Sequence, residues 1–457
     1  MLKKTKNIHF IGIGGIGMSG IAELLYSQGF QISGSDLIES DRTKHLAVLG
    51  IQVNIGHSSK NIKDVDIVVY SSAVDMDNIE ILTSKNKNIP VIRRAEMLAE
   101  LLKLKKISIA ISGTHGKTTS CSMLSSILVE ANLNPTVIIG GIVNNFRSNT
   151  ILGEGDIILV EADEFDRSFL SLQPSMGIIN NLDLEHMDCY KNLNELKEAF
   201  VNFANSIHFY GIIGLCIDDA NIKDIINQIK RPYKTFGITS EANIRANKIK
   251  FKGFHSKFEL FHENKFITDI TLAVPGKHNI QNSLAAITIA LELNIGADAI
   301  KNGLEKYNGV KRRLEVKHQL KNGTILIDDY AHHPTEVEAT ISAIKKSFGN
   351  RVITVFQPHL YSRTVNFYQD FAKALSLSDI AILLDIYPAR EKAMDNVTSQ
   401  LIYDEMLKLG CKDILLNKDI SLIPKIIKDM HKEGDIIITM GAGDIYKQNS
   451  IIFKAIS

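Results

Sequence analysis

Residues 107–119 read Ile-Ser-Ile-Ala-Ile-Ser-Gly-Thr-His-Gly-Lys-Thr-Thr, an apolar stretch entering a glycine-bracketed turn that closes on a lysine and two hydroxyls. Gly113 and Gly116 let the backbone around Thr114 and His115 turn its N–H groups toward a phosphate. From the end of the turn Lys117 can reach β- and γ-phosphoryl oxygens, and Thr118 or Thr119 can offer a hydroxyl to Mg²⁺ at the positive end of the next helix. The loop is one residue shorter than the commonest phosphate-loop spacing. Its context is the one the chemistry needs, because an apolar strand precedes it and an amphipathic helix over 118–131 is predicted to follow. ATP and Mg²⁺ are the expected cofactors.

A second glycine loop lies near the N-terminus. Gly12-x-Gly14-x-x-Gly17 follows a strand over 8–11, and Asp36 ends the next strand. This spacing suits a dinucleotide such as NAD or FAD. The same backbone at Gly14, Gly15, Ile16 and Gly17 would equally hold the diphosphate of a nucleotide sugar, with Asp36 near the ribose, so spacing alone does not choose between them.

Further candidates sit where strands end, the ligand-binding edge of α/β sheets. Glu161, Asp163 and Glu164 follow a strand over 157–160. Glu161 is the expected Mg²⁺ ligand, the other carboxylates serving a helix N-terminus. His186 lies past another strand; histidine is not the usual Mg²⁺ ligand, and by residue type alone a structural role competes. Asn279 and Asn282, three apart, share a helix face that can meet an adenine edge, although an N-cap can claim one of them. Arg312 and Arg313 can neutralise a transferring phosphoryl group or be solvated surface. Asp328-Asp329-Tyr330-Ala331-His332-His333-Pro334 and Gln357-Pro358-His359-Leu360-Tyr361-Ser362-Arg363 each follow an apolar strand, and His359 with Arg363 can clamp a small carboxylate.

Positioning these residues requires strands alternating with helices. The predicted class is α/β with three domains: a Rossmann-like N-terminal domain over 1–105, a central phosphate-loop ATPase-like domain over 106–312 and a Rossmann-like C-terminal domain over 313–457. An alternating stretch over 244–274 predicts antiparallel strands added to the central domain. With 52 Lys and Arg against 51 Asp and Glu, the net charge of +1 gives no footprint for nucleic acid or an anionic membrane. Four scattered cysteines, no signal-peptide pattern and no long apolar run predict a cytoplasmic protein, a monomer or weak homodimer.

The order of the motifs is more specific than any one of them. Gly-Ile-Gly-Gly-Ile-Gly-Met-Ser-Gly, Gly-Thr-His-Gly-Lys-Thr-Thr, Glu-Ala-Asp-Glu, Asn-x-x-x-x-His-Met-Asp, His-Asn-x-x-Asn, Arg-Arg and Asp-Asp-Tyr-x-His-His-Pro together resemble the Mur ligases of peptidoglycan synthesis, over nearly the whole chain. The resemblance implies a UDP-binding first domain, a central ATPase and a last domain that brings an amino acid. It places Lys117 on the phosphates, Thr118, Glu161 and His186 on Mg²⁺, Asn279 and Asn282 beside adenine, and Arg313 and Asp329 at the site from the last domain. The N-terminal glycine loop, residues 161–170 and the His-His-Pro loop are similar to those of the member that couples L-alanine to the lactyl carboxylate of UDP-N-acetylmuramate through an acyl phosphate. A sister ligase that attaches a recycled tripeptide shares the ATP motifs. An NAD-dependent oxidoreductase, the alternative from another class, has no use for a second phosphate loop.

The chain departs from the family pattern. Ala331 stands where glycine is common and Leu360 where arginine is common, which leaves Arg363 a larger share of anion recognition. The stretch 197–202, Lys-Glu-Ala-Phe-Val-Asn, is not expected to carry the modified lysine of several sister ligases.

Overall fold

The structure is a computed structural model that describes residues 5–146, 148–185, 189–389 and 391–457. Apolar strands build a first sheet of five parallel strands in the order Gln52–Ile55, Gln31–Asp36, Asn7–Ile11, Ile67–Tyr70 and Val91–Arg93. Asn7–Ile11 is central and buries Ile8, Phe10 and Ile11, so its continuation, the first glycine loop, emerges at the carboxyl edge beside Asp36. The helix that follows the loop spans Ile16–Ser27. Gly15, extended at φ −61° and ψ 140°, is its N-cap, so no spacer separates loop from helix.

Beneath that edge lies a polar hub that the sequence gives no sign of. Glu80, fully buried, accepts from Ser35 Oγ at 2.6 Å, from the Ser58 N–H at 3.1 Å and from Asn61 Nδ2. The imidazoles of His57 and His9 face the same carboxylate at 3.3 and 3.6 Å. Burial opposes the anion, but hydrogen bonds from His9, Ser35, Asn61 and Ser58 outweigh it and hold the carboxyl down at about 2. A carboxylate depressed on folding contributes stability above its unfolded value of about 4.3, and that contribution is lost as pH falls through the folded value. Glu80→Gln is therefore expected to cost about 2 kcal/mol at neutral pH. In denaturant titrations the gap between parent and variant should close as pH drops from about 4.3 toward 2. A gap of the same size at about pH 7 and pH 3 would show that the anion is not what stabilises the hub.

The second sheet has ten strands. Its order is Lys265–Leu272, His255–His262, Ile244–Lys252, Tyr233–Gly237, Ile212–Cys216, Met176–Ile179, Ile107–Ser112, Ile157–Glu161, Thr136–Val143 and Ser148–Ile151. Ile107–Ser112 lies between Met176–Ile179 and Ile157–Glu161, parallel to both, so the phosphate loop, Asn181 and Glu161 share one carboxyl edge. The alternating stretch forms three strands joined by two-residue connections, and Glu263 and Asn264 at φ 46° and 68° make the second of these a tight hairpin turn. After the loop, helix Lys117–Glu130 departs from its expected amphipathic pattern: every residue from Thr119 to Leu128 is buried. Helix Ala297–Glu305 covers its outer side, and a Cβ on Gly303 would come within 2.7 Å of Ile127 Cα, so only glycine allows that approach. Serines tolerate the burial by bonding inward, Ser122 to the Thr118 carbonyl and Ser125 to that of Ser122, both at 2.7 Å.

A third sheet has six strands in the order Glu315–Gln319, Ile325–Asp329, Ile436–Met440, Val352–Phe356, Ile380–Leu383 and Ile414–Leu416. All pairs are parallel except the first, an antiparallel edge whose polar sequence hides it from a hydrophobicity pattern. The chain divides into two compact units. Met1–Asn247, Glu259–Ile270 and Gln281–Tyr307 form one; Lys248–Phe258, Thr271–Ile280 and Asn308–Ser457 form the other. Among the described residues no helix is long and apolar enough to cross a membrane.

Candidate active site

In the first unit the strand Ile107–Ser112 ends at Gly113 (φ +136°), and Gly116 (φ +79°) is the left-handed N-cap of the next helix. Neither position has room for a side chain. A Cβ on Gly113 would lie 2.9 Å from Asn180 Cβ, and one on Gly116 2.2 Å from Asn282 Oδ1. Asn181 pins the turn from the neighbouring strand end: its Oδ1 accepts the His115 N–H at 2.7 Å and its Nδ2 donates to the His115 carbonyl at 3.1 Å. Thr114 Oγ1 accepts the Asp183 N–H at 2.9 Å, and His115 Nε2 lies 3.3 Å from Asp183 Oδ2. The cradle is thus held from behind, which fixes where its N–H groups point.

Lys117 Nζ donates to Glu164 Oε2 at 2.6 Å, to the Gly113 carbonyl at 2.7 Å and to the Thr114 carbonyl at 3.2 Å, with Asp163 at 3.8 Å. Burial penalises its charge, but Glu164, Asp163 and Glu161 more than offset this and hold the ammonium protonated. Thr118 Oγ1 donates to both oxygens of Glu161 at 3.0 Å, and the Gly140 N–H donates to Oε2 at 2.8 Å. Burial pushes the Glu161 carboxyl up while Lys117 pulls it down. A half-buried carboxylate facing a hydroxyl is an all-oxygen donor pair that gains from a divalent cation, so Thr118 and Glu161 fit Mg²⁺. Thr119 is buried. His186 lies outside the described residues.

Helix Lys277–Glu292 carries both asparagines. Asn282 joins the phosphate loop, accepting from Ser120 Oγ at 3.3 Å, whereas Asn279 donates to the Pro275 carbonyl at 2.7 Å. At the first glycine loop Asp36 Oδ2 accepts the Gly14 N–H at 2.9 Å, and a Cβ on Gly17 would sit 2.3 Å from Arg94 Nη1. Ile16 offers its carbonyl to Asn149 Nδ2 at 2.9 Å. Arg94 beside Gly17 and Glu80 beneath Ser35 are neighbours that residue spacing does not reveal, since each is brought there from a distant part of the chain.

In the second unit Asp329 is buried and accepts N–H groups from Leu314 at 2.8 Å and Ala331 at 2.7 Å. Burial pushes it up to about 6 against the pull of Arg313. Arg313 Nη1 reaches Glu336 Oε1 at 3.2 Å. Arg312 does something else: its guanidinium lies between the Tyr330 and Tyr446 rings at 4.9 and 4.5 Å and donates to Asp328 and the Gly441 carbonyl. It is a packing cation, not surface, and its left-handed backbone (φ +61°) turns the chain at Arg313. Nearby, Arg363 Nη1 lies 3.2 Å from His359 Nδ1. Arginine has only donors, so Nδ1 accepts and the His359 proton sits on Nε2. His359 stacks on Tyr387 at 5.9 Å and faces His332 at 6.0 Å.

A glycine loop with an acid at the next strand end, a phosphate loop with its hydroxyl and carboxylate, and a third sheet edge of paired arginines and carboxylates define a multidomain nucleotide-dependent enzyme. Residues 7–106, 111–290 and 312–443 match, in turn, the Mur ligase family catalytic domain, the Mur ligase middle domain and the Mur ligase glutamate ligase domain. The chain belongs to the Mur ligase family and is an ATP-dependent, amide-forming ligase. It is 45% identical to a UDP-N-acetylmuramate--L-alanine ligase of Syntrophus aciditrophicus, over 97% of this chain and 92% of that protein. A protein of the same description from Geotalea uraniireducens is 44% identical over 98% and 97%. Among solved structures, the UDP-N-acetylmuramate-alanine ligase MurC of Thermotoga maritima superposes with a TM-score of 0.83 at 29% identity, covering 98% of each chain. A murein peptide ligase of Psychrobacter arcticus, at 22% identity and a TM-score of 0.71 over 99% and 98%, shares the fold.

Proposed function

We propose that this enzyme joins L-alanine to the lactyl carboxylate of UDP-N-acetylmuramate, with ATP converted to ADP and phosphate. The carboxylate attacks the γ-phosphoryl group and ADP leaves; the alanine amine then displaces phosphate from the acyl phosphate and gives up its proton. The observation that carries the reading is the phosphate loop in which Lys117 and the Thr118–Glu161 pair converge at one sheet edge. Lys117 stabilises charge on the phosphoryl oxygens, with Thr114, His115, Gly116 and Thr119 shaping the cradle and Asn279 and Asn282 on the adenine side. Thr118 and Glu161, joined by His186, would hold Mg²⁺, which when bound supplies positive charge to the transferring phosphoryl group. Arg313 and Asp329 act from the C-terminal domain, His359 and Arg363 receive the alanine carboxylate, and Gly14, Gly15, Ile16, Gly17 and Asp36 take the uridine diphosphate.

Domain boundaries near 105 and 312 belong to this reading, supported by where the family matches begin and end. A cytoplasmic setting fits the four free cysteines. The relatives' names favour alanine over a peptide acceptor. In the test, purified enzyme with UDP-N-acetylmuramate and MgATP receives L-alanine, glycine, L-serine or a cell-wall tripeptide in turn. Phosphate release should be fastest with L-alanine. Release that answers only to the tripeptide would convert the assignment to peptide recycling, and release indifferent to the sugar nucleotide would remove it.

A further inference from the structure

An ammonium has three N–H donors. In Lys117 three acceptors lie within hydrogen-bond distance: the Gly113 carbonyl, the Thr114 carbonyl and Glu164 Oε2. A triphosphate oxygen that is to receive a hydrogen bond from Lys117 must therefore displace or share with one of them. The two carbonyls are fixed by the loop, which the asparagines pin from behind. Glu164 is a side chain, and the only one of the three that carries charge. It stands three residues beyond the carboxylate that faces Thr118, on a separate local frame: its carbonyl accepts from buried Tyr190 Oη at 2.7 Å, at the start of the helical stretch Phe165–Ser171. Its side chain is 1% exposed, so water does not screen the pair.

Resting on the ATP-site reading, we propose that Glu164 is a positioning residue that holds Lys117 as a competing anion, so that triphosphate binding is an exchange of one anionic partner of the lysine for another. The arrangement has two opposed consequences. Before binding, Glu164 keeps Lys117 charged and folded over its own loop, ready but engaged. On binding, its hold is a toll, because the apparent affinity of a site falls by the fraction of time in which the competent arrangement is free. After phosphoryl transfer the same carboxylate recaptures the lysine and helps expel ADP.

Removing a charged residue from a binding site usually weakens binding; here the opposite is expected. Glu164→Gln keeps shape and one acceptor oxygen while removing the charge, so it is expected to bind ATP and inorganic tripolyphosphate at least about threefold more tightly than the parent. Its turnover should fall, with slower ADP release. Glu164→Asp, charged but one methylene shorter, should lie between parent and glutamine variant in affinity, and it keeps the test alive should the glutamine variant fold poorly. Equilibrium titration of the full chain with each probe, alongside Lys117→Ala, reads the result. Unchanged or weaker binding in both folded Glu164 variants, with Lys117→Ala binding lost, overturns the exchange and leaves the ATP site in place. Binding by Lys117→Ala equal to the parent's overturns both.

Discussion

Replacing Lys117 with alanine is expected to lower ATP-dependent phosphate release at least about a hundredfold, because a preorganised charge at a transferring phosphoryl group in a poorly hydrated site is worth several kcal/mol. The side chain is 11% exposed and surrounded by Glu164, Asp163 and the loop carbonyls, so neither water nor another cation of this cluster can take its place. The same burial makes the substitution destabilising, since Glu164 loses its cation. The measurement must therefore pair phosphate release with a thermal unfolding curve on the same sample. A folded variant within about threefold of the parent's rate would take the phosphate loop out of the mechanism.

What could be read from the sequence were the features whose cause is local. Gly113, Gly116 and Gly12 stand where the chain adopts positive φ, and their spacing gives the two loops directly. Apolar runs give the central strands of all three sheets, and a strand end then places Glu161, Asp329 and His359 on ligand edges. The missed features depend on distant partners. Glu80 looks like any helix-start acid until strand pairing brings Ser35 against it, 45 residues away. Glu164 looks like a first-turn carboxylate until the sheet sets it against Lys117, 47 residues away. The pattern of helix Lys117–Glu130 cannot tell that Gly303 admits a second helix close against its backbone at Ile127. Strand Thr136–Val143 carries Gly140-Gly141, which reads as a loop, yet the missing side chain at Gly140 is what lets its N–H reach Glu161 at 2.8 Å. Arg312 and Arg313, adjacent in sequence, both lie over the Tyr330 ring but pair with different carboxylates, Asp328 and Glu336, across the left-handed turn at Arg312.

Arg363→Gln is expected to raise the KM for L-alanine by about ten- to a hundredfold and to leave the KM for ATP within about twofold, the effect of removing a charge-assisted bidentate partner from a small carboxylate. Arg363 is the third residue of helix Tyr361–Leu375, so the positive end of that helix adds to its own charge. It is 9% exposed, which keeps the field of the guanidinium from being screened. Its aim is set by its neighbours. Leu360 is left-handed at φ +71° and buried, so its side chain fills space. That backbone is held by the Leu360 N–H on the Tyr387 carbonyl at 3.0 Å and by Thr364 Oγ1 on the Leu360 carbonyl at 2.8 Å. His359, bridged and stacked to Tyr387, accepts from Arg363 through Nδ1 and so presents an Nε2–H, a second neutral donor suited to a carboxylate. Separate titration of each substrate decides between this clamp and a role in phosphoryl transfer. If the alanine and ATP terms worsen together, Arg363 acts on the phosphoryl group or on the chain's closure around it, and the alanine carboxylate must be held from His359 or the His332-His333 loop instead.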